Sequence, residues 1–249
     1  NLQISKFNKY LITLISLLFF YLFYLSIPVL YDKNWVQNNI ENQLLKDFKI
    51  HFSLSSDISY RILPSPHYLI KDSKILKEDD KTVSLAEIKT LKVFVSQRNF
   101  FDKEKLMLKH IKLKNAVFIL LREDLGSLKN STNNKFSNKK IEIKKSNIIF
   151  KNNLNEIISI IKISDASLFY NDENLSNLFK LQGDIFNVPF NFNYHKNFNL
   201  LNSEEINFVA KKLKLNIFNI HNYEEDNNNK GENIISFLNS KIKTNYKIE

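Results

Sequence analysis

IKISDASLFY, residues 161–170, alternates apolar and polar side chains, breaks at a small residue after an acid, and resumes with bulky apolar ones. Nearly the same phrase occurs as IKLKNAVFIL (111–120) and IEIKKSNIIF (141–150), and more loosely as YLIKDSKILK (68–77). Alternation with a period of two marks a strand with one face toward a core and the other toward water. The interruption, Lys, Asn or Asp followed by Ala or Ser, suits a bulge or a tight turn, after which the strand continues or reverses. The repeated unit therefore extends a sheet.

Runs of the same kind occupy residues 85–95, 106–121, 141–150, 157–170, 186–194 and 206–220, and SKIKTNYKIE at 240–249 alternates in the same way. Earlier, Phe48, Ile50, Phe52 and Leu54 alternate with Lys49, His51, Ser53 and Ser55, followed by Ile58, Tyr60 and Ile62. Pro64 and Pro66 interrupt the ladder there and mark a turn or an edge. Two Asn-rich stretches without periodicity, 127–138 and 223–233, are the expected mobile loops.

The N-terminal region is of another kind. YLITLISLLFFYLFYLSIPVL, residues 10–30, carries no charge, and at about 1.5 Å per helical residue it reaches about 30 Å, one bilayer core. A secretory leader has a shorter apolar region and a small-x-small cleavage site, which SIPVLYDKNW does not offer, so the segment is expected to stay as an anchor. Lys6 and Lys9 place residues 1–9 in the cytoplasm and deliver 31–249 across the membrane. NWVQNNIENQLLKDF, 34–48, sets Trp35, Val36, Ile40, Leu44 and Leu45 near one helical face, with a cap at Asp32 or Asn34.

Composition removes several functions. The net charge is +10, but the excess is lysine scattered along the chain rather than clustered, which reads as a solvated face and not as a nucleic-acid site. Zero cysteines exclude disulfides, thiolate nucleophiles and cysteine metal sites. The five histidines stand far apart, without metal-binding spacing, and three glycines leave little for a phosphate-cradling loop. The expectation is a protein without catalytic residues, metal or cofactor.

A sheet with one apolar face must cover it, either with a second layer or by curling into a trough that accepts acyl chains. FNVPFNFNYH, 186–195, puts Phe186, Val188, Phe190, Phe192 and Tyr194 on one face, which fits a core or a lipid-lined wall.

The order of these features resembles the N-terminal region of the AsmA-like family of Gram-negative envelope proteins. The likeness lies in the short tail and anchor, the amphipathic helix ending at LLKDF, and the strands of ISYRILPSPHYLIKDSKIL. It continues through VSLAEIKTLKVFVSQRNFFDKEKLMLKHIKLKNAVFILLREDLGSLKN, with Asp124, Gly126 and Asn130, and ends in FKLQGDIFNVPFNFNY, with Gly183 and Pro189. Members are usually much longer than this chain. The resemblance implies a mainly β fold, in which a transmembrane helix and a short amphipathic helix precede an elongated, curled antiparallel sheet, the repeating β-groove. It further implies an inner-membrane protein with its bulk in the periplasm, phospholipid as partner, and a part in phospholipid transport to the outer membrane and in envelope biogenesis. The candidate groove lining is Phe48, Ile50, Phe52, Leu106, Leu108, Ile111, Leu113, Ile161, Ile163, Phe186, Val188, Phe190 and Phe192. The alternative is a tethered β-sandwich scaffold that assists outer-membrane protein assembly without carrying lipid.

Overall fold

A computed structural model describes residues 6–77, 80, 82–123, 126, 134–199, 202–223 and 229–248. Helix α1, Lys6–Ser26, passes through a short 3-10 turn, Ile27–Leu30, with Pro28 where a helix start needs no N–H donor. The segment Asn8–Leu30 is long and apolar enough to cross a membrane, and little of it is buried against the rest of the chain.

Helix α2, Lys33–Phe48, begins at Asp32, whose carboxylate accepts from the Trp35 N–H at 2.8 Å, and ends at Lys49 in the left-handed region. Its buried face is Val36, Ile40 and Leu44, as the spacing predicts, whereas Leu45 is exposed.

The strands then follow: β1 His51–Ser53, β2 Ile58–Arg61, β3 His67–Leu76, β4 Ser84–Val95, β5 Leu108–Leu121, β6 Ile141–Lys151 and β7 Ile157–Asn171. They continue as β8 Ser176–Ile185, β9 Val188–Asn197, β10 Ser203–Ala210, β11 Leu215–Asn222, β12 Asn229–Phe237 and β13 Ser240–Ile248. All belong to one long, at most mildly curled sheet in the order β1-β3-β4 and onward to β13, with β2 beside β3. Neighbours are antiparallel except β5 and β6, which are parallel. The run expected at 206–220 is two strands, because Lys211–Leu213 form a 3-10 turn closed by Lys214 in the left-handed region. Of the two expected loops, residues 127–133 and 224–228 lie outside the described residues. Asn229–Phe237 is strand, and the Phe136 N–H donates to the Asn177 side chain, which ties that stretch to β8.

The repeated phrase resolves into a crease, and the strand continues through it every time. Asp72, Asn115 and Lys145 take positive φ (51°, 55° and 49°) within β3, β5 and β6. A left-handed residue shifts the alternation by one, so Leu113 and Ala116, three apart, are both buried on one face. The residue after the shift is crowded and therefore small: Ser73, Ala116 and Ser146 are all buried. Ser146 also repairs the ladder, its Oγ accepting from the Ala116 N–H at 3.0 Å. In β7 the same shift comes from a bulge, with Ser164 unpaired between Ile163↔Gly183 and Asp165↔Gln182. A Cβ at Gly183 would lie 2.2 Å from the Lys162 carbonyl oxygen, so glycine is required opposite that bulge.

Helix α2 lies on one face of the first strands. Gln37 donates to the Leu54 carbonyl, Gln43 bonds the Leu106 carbonyl and the Leu108 N–H, and Asp47 near the helix end pairs with Lys139 just before β6. Val36, Ile40 and Leu44 close over Ile70, Ile88, Leu91, Ile111 and Leu113 in one dry core. Each fully buried side chain of this size contributes about 1.5–3 kcal/mol. The expected curled groove is thus a filled, two-layer core at this end.

Candidate functional site

Cross-strand partners share a face, so the pairing traces one row across the whole sheet. Ile70, Leu91, Leu113 and Ile143 lead through Ala166, Leu181, Phe192 and Phe208 to Ile217, Ile235 and Ile242. The row stays apolar throughout, but its exposure rises from 0 % at Leu91 to 39 % at Ile235 and 59 % at Ile242. Beneath α2 the row is core. Past β6 no described element lies over it, and Phe192, Phe208 and Ile217 are half-buried by their neighbours alone. The opposite face carries Lys112, Glu142 and Lys180, with Lys112 and Glu142 paired at 2.8 Å. That opposite row stays polar through Asn193 and Asn207 and turns apolar at Phe218 and Ile234 on β11 and β12.

The floor of this open section is aromatic. Phe190 stacks on Phe208 with ring centroids 5.2 Å apart, and Phe179 meets Phe192 edge-on at 5.7 Å. Ile161, Ile163, Ile185 and Val188 extend it toward the hairpin ends. Phe190 is 8 % exposed although the sheet is single-layered there, so flanking side chains cover it.

At the other end of the same strands the face turns polar. Asn177, Lys196, Glu204 and His221 are successive cross-strand partners. The Phe198 ring lies between two ammonium groups, Lys135 and Lys196, each 5.7 Å from its centroid, while Lys196 also stands 5.1 Å from the Tyr223 ring. The Tyr223 hydroxyl donates to Glu204 at 2.7 Å, and burial together with that carboxylate raises its pKa. Tyr246 lies flat against His221, and a Cβ at Gly231 would strike the Tyr246 ring at 2.0 Å, so glycine makes room for it.

The candidate lining residues divide between the two regions. Phe52, Leu106, Leu108, Ile111 and Leu113 are buried in the core under α2, and Phe48 and Ile50 pack at its edge, so these seven line no open groove. Leu106 lies just before β5, as the C-cap of a short 3-10 turn. Phe186 is also displaced from the expected lining. With Asn187 it forms the two-residue β8–β9 hairpin turn, both at positive φ, and it stands 73 % exposed. Ile161, Ile163, Val188, Phe190 and Phe192 come together on the open face. Phe179, Phe208, Ile217 and the Lys135–Phe198–Lys196 arrangement complete the face and were not singled out from sequence. The 3.6-residue period of α2 held the missing signal: a 16-residue helix spans about 24 Å, about five strand spacings. It cannot cover a sheet of this width.

Two histidines stack on the polar face of the covered half, His67 on Phe94 and Phe94 on His110, at 5.0 and 4.1 Å. Burial lowers the pKa of both. Among the described residues no group of three or more His, Asp or Glu stands close enough to hold a metal ion. In comparison with known proteins, no family model matches the chain and no curated sequence matches it.

Proposed function

We propose that this chain is a single-span inner-membrane protein of the AsmA-like kind, with its sheet in the periplasm, that holds phospholipid acyl chains on the uncovered apolar face of β7–β13. In this role it contributes to phospholipid transport toward the outer membrane and to envelope biogenesis. The observation that carries the reading is the apolar row that remains unbroken after its helical cover ends. A water-facing sheet has no reason to keep such a row, since contiguous exposed apolar surface is characteristic of ligand or partner sites.

Binding is passive and needs no catalytic residue, metal or cofactor. Acyl chains displace water from Phe192, Phe208 and Ile217 at about 0.8 kcal/mol per buried CH₂. The headgroup lies at the polar end of the same face, where the exposed Lys135 supplies positive charge beside the Tyr170 and Phe198 rings and Lys196 is buried beneath. A second reading, a tethered scaffold for outer-membrane protein assembly, draws on the covered half, which is a filled core.

The two separate on crosslinking. Ile217 and Asn216 are neighbours on opposite faces of β11, half-buried and exposed respectively. With a photoreactive residue at each position in cells, the lipid-binding reading requires phospholipid adducts at 217 and none at 216. Protein adducts alone, or equal labelling of both faces, would favour the scaffold.

A further inference from the structure

Beyond the anchor itself, we infer that the loop between β4 and β5 and the turn between β2 and β3 form a second membrane contact, with Phe101 and Leu63 inserted into the same leaflet in which α1 ends. The inference rests on α1 as the anchor, and on no claim about the trough.

Three observations lead to it. The first is where the loop sits. The Tyr21 hydroxyl donates to the Gln97 side chain at 3.1 Å and the Tyr24 hydroxyl to the Gln97 carbonyl at 2.7 Å, while the Phe100 N–H donates to the Tyr24 hydroxyl at 3.1 Å. Phe100 and Phe101 both pack on the Tyr24 ring, at 5.5 and 5.3 Å. From β2, Tyr60 donates to the Leu25 carbonyl at 2.8 Å. The base of the sheet therefore grips the last turns of the apolar helix.

The second is depth. From Lys9 to Tyr24 fifteen helical rises give about 22 Å, less than the hydrocarbon thickness of about 30 Å. The remainder must be supplied by residues 25–30, and Leu25 and Pro28 are already buried against the base of the sheet. Whatever touches Tyr24 and Leu25 then lies at or below the headgroups.

The third is composition at that level. Phe101 and Leu63 are 79 % and 77 % exposed, and Val29 and Leu30 at the end of the apolar segment are exposed as well. Arg98, Lys103 and Lys105 flank the aromatic pair, Lys103 lying 5.5 Å over the Trp35 ring and Lys105 paired with Asp102 at 2.8 Å. Asp102 and Glu104 stand in the same stretch, which leaves a net charge of +1 over residues 98–105, and an apolar tip among such side chains suits a lipid surface.

The chain has no cysteine, so single spin labels can be placed without other changes. Leu154, in the β6–β7 turn at the opposite end of the strands, is 78 % exposed and serves as the aqueous control, and Phe19 in α1 as the membrane control. The full chain carrying Phe101→Cys, Leu63→Cys, Leu154→Cys or Phe19→Cys is labelled and reconstituted in phosphatidylethanolamine–phosphatidylglycerol vesicles. Collisions with oxygen and with a water-soluble nickel chelate are then compared. Labels at 101 and 63 are expected to meet the nickel chelate several-fold less often than the label at 154, and oxygen more often. Accessibility at 101 and 63 equal to that at 154, with 19 shielded, would overturn the second contact and leave the anchor standing. Exposure of 19 as well would overturn both.

Discussion

The two halves of the sheet are written in the same repeated phrase and carry the same apolar row, yet one half is a core and the other a surface. Under α2 the row meets Val36, Ile40 and Leu44 and is dry. Beyond β6 the same residue types meet only their neighbours in the sheet. Strand pattern fixes which face is apolar, while a separate element decides whether that face supports stability or remains available to a ligand.

The comparison can be broken most directly along the row itself. Leu91→Ala empties a site closed on all sides and should cost about 2–5 kcal/mol. Ile217→Ala, on the same row, removes a half-exposed side chain and leaves no closed cavity, so about 1 kcal/mol is expected. Denaturant unfolding of the two variants measures the difference, and equal losses would mean that the outer section is as well packed as the inner one.

The crease gives the next largest effect. Asn115 holds φ at 55°, where a β-branched residue is strained, so Asn115→Val should lose about 1–2 kcal/mol while Asn115→Gly loses almost none. If valine is tolerated as well as glycine, the phase shift in β5 does not depend on the left-handed residue.

The smallest effect is pH dependence, which belongs to the covered half alone. His67 and His110 have folded pKa values below the ordinary 6.5, so the unfolded chain binds protons more readily. Their contribution is complete above 6.5 and is lost as pH falls toward the folded values. Around them Arg61, Lys92, Lys109, Lys112 and Lys140 oppose protonation and Glu142 favours it. Melting of the purified chain at pH 7.5 and 5.5 should show a loss on acidification that shrinks in a His67→Phe, His110→Phe variant. A loss unchanged by that double substitution would assign the sensitivity elsewhere.

Much of this architecture was legible in the sequence, for identifiable reasons. Period-two alternation located most strands within a few residues, and the cap at Asp32 with Val36, Ile40 and Leu44 located α2. Asp72 and Asn115 advertise the left-handed backbone that they adopt, but Lys145 does not, because nothing in a lysine side chain favours that region. Phe186 read as part of an aromatic stripe because alternation continues through a two-residue turn when the turn residues themselves alternate in polarity. The parallel β5–β6 pair is set by the path of the chain between Leu121 and Ile141, on which strand pattern is silent. The open section was misplaced for a simpler reason: burial by α2 depends on where a helix lies, and alternation reports only which way side chains point.

The tyrosine bonds between the apolar helix and the base of the sheet have a mechanical consequence. Tyr60 bonds the Leu25 carbonyl, Tyr31 bonds the Phe100 carbonyl at 2.5 Å, and α2 starts two residues after Tyr31, so helix and sheet are tied together at several points within a short stretch of chain. A span longer than the local bilayer is thick relieves the mismatch by tilting. If α1 is the span, a tilt of the helix would carry the sheet with it, as a shaft carries a pointer.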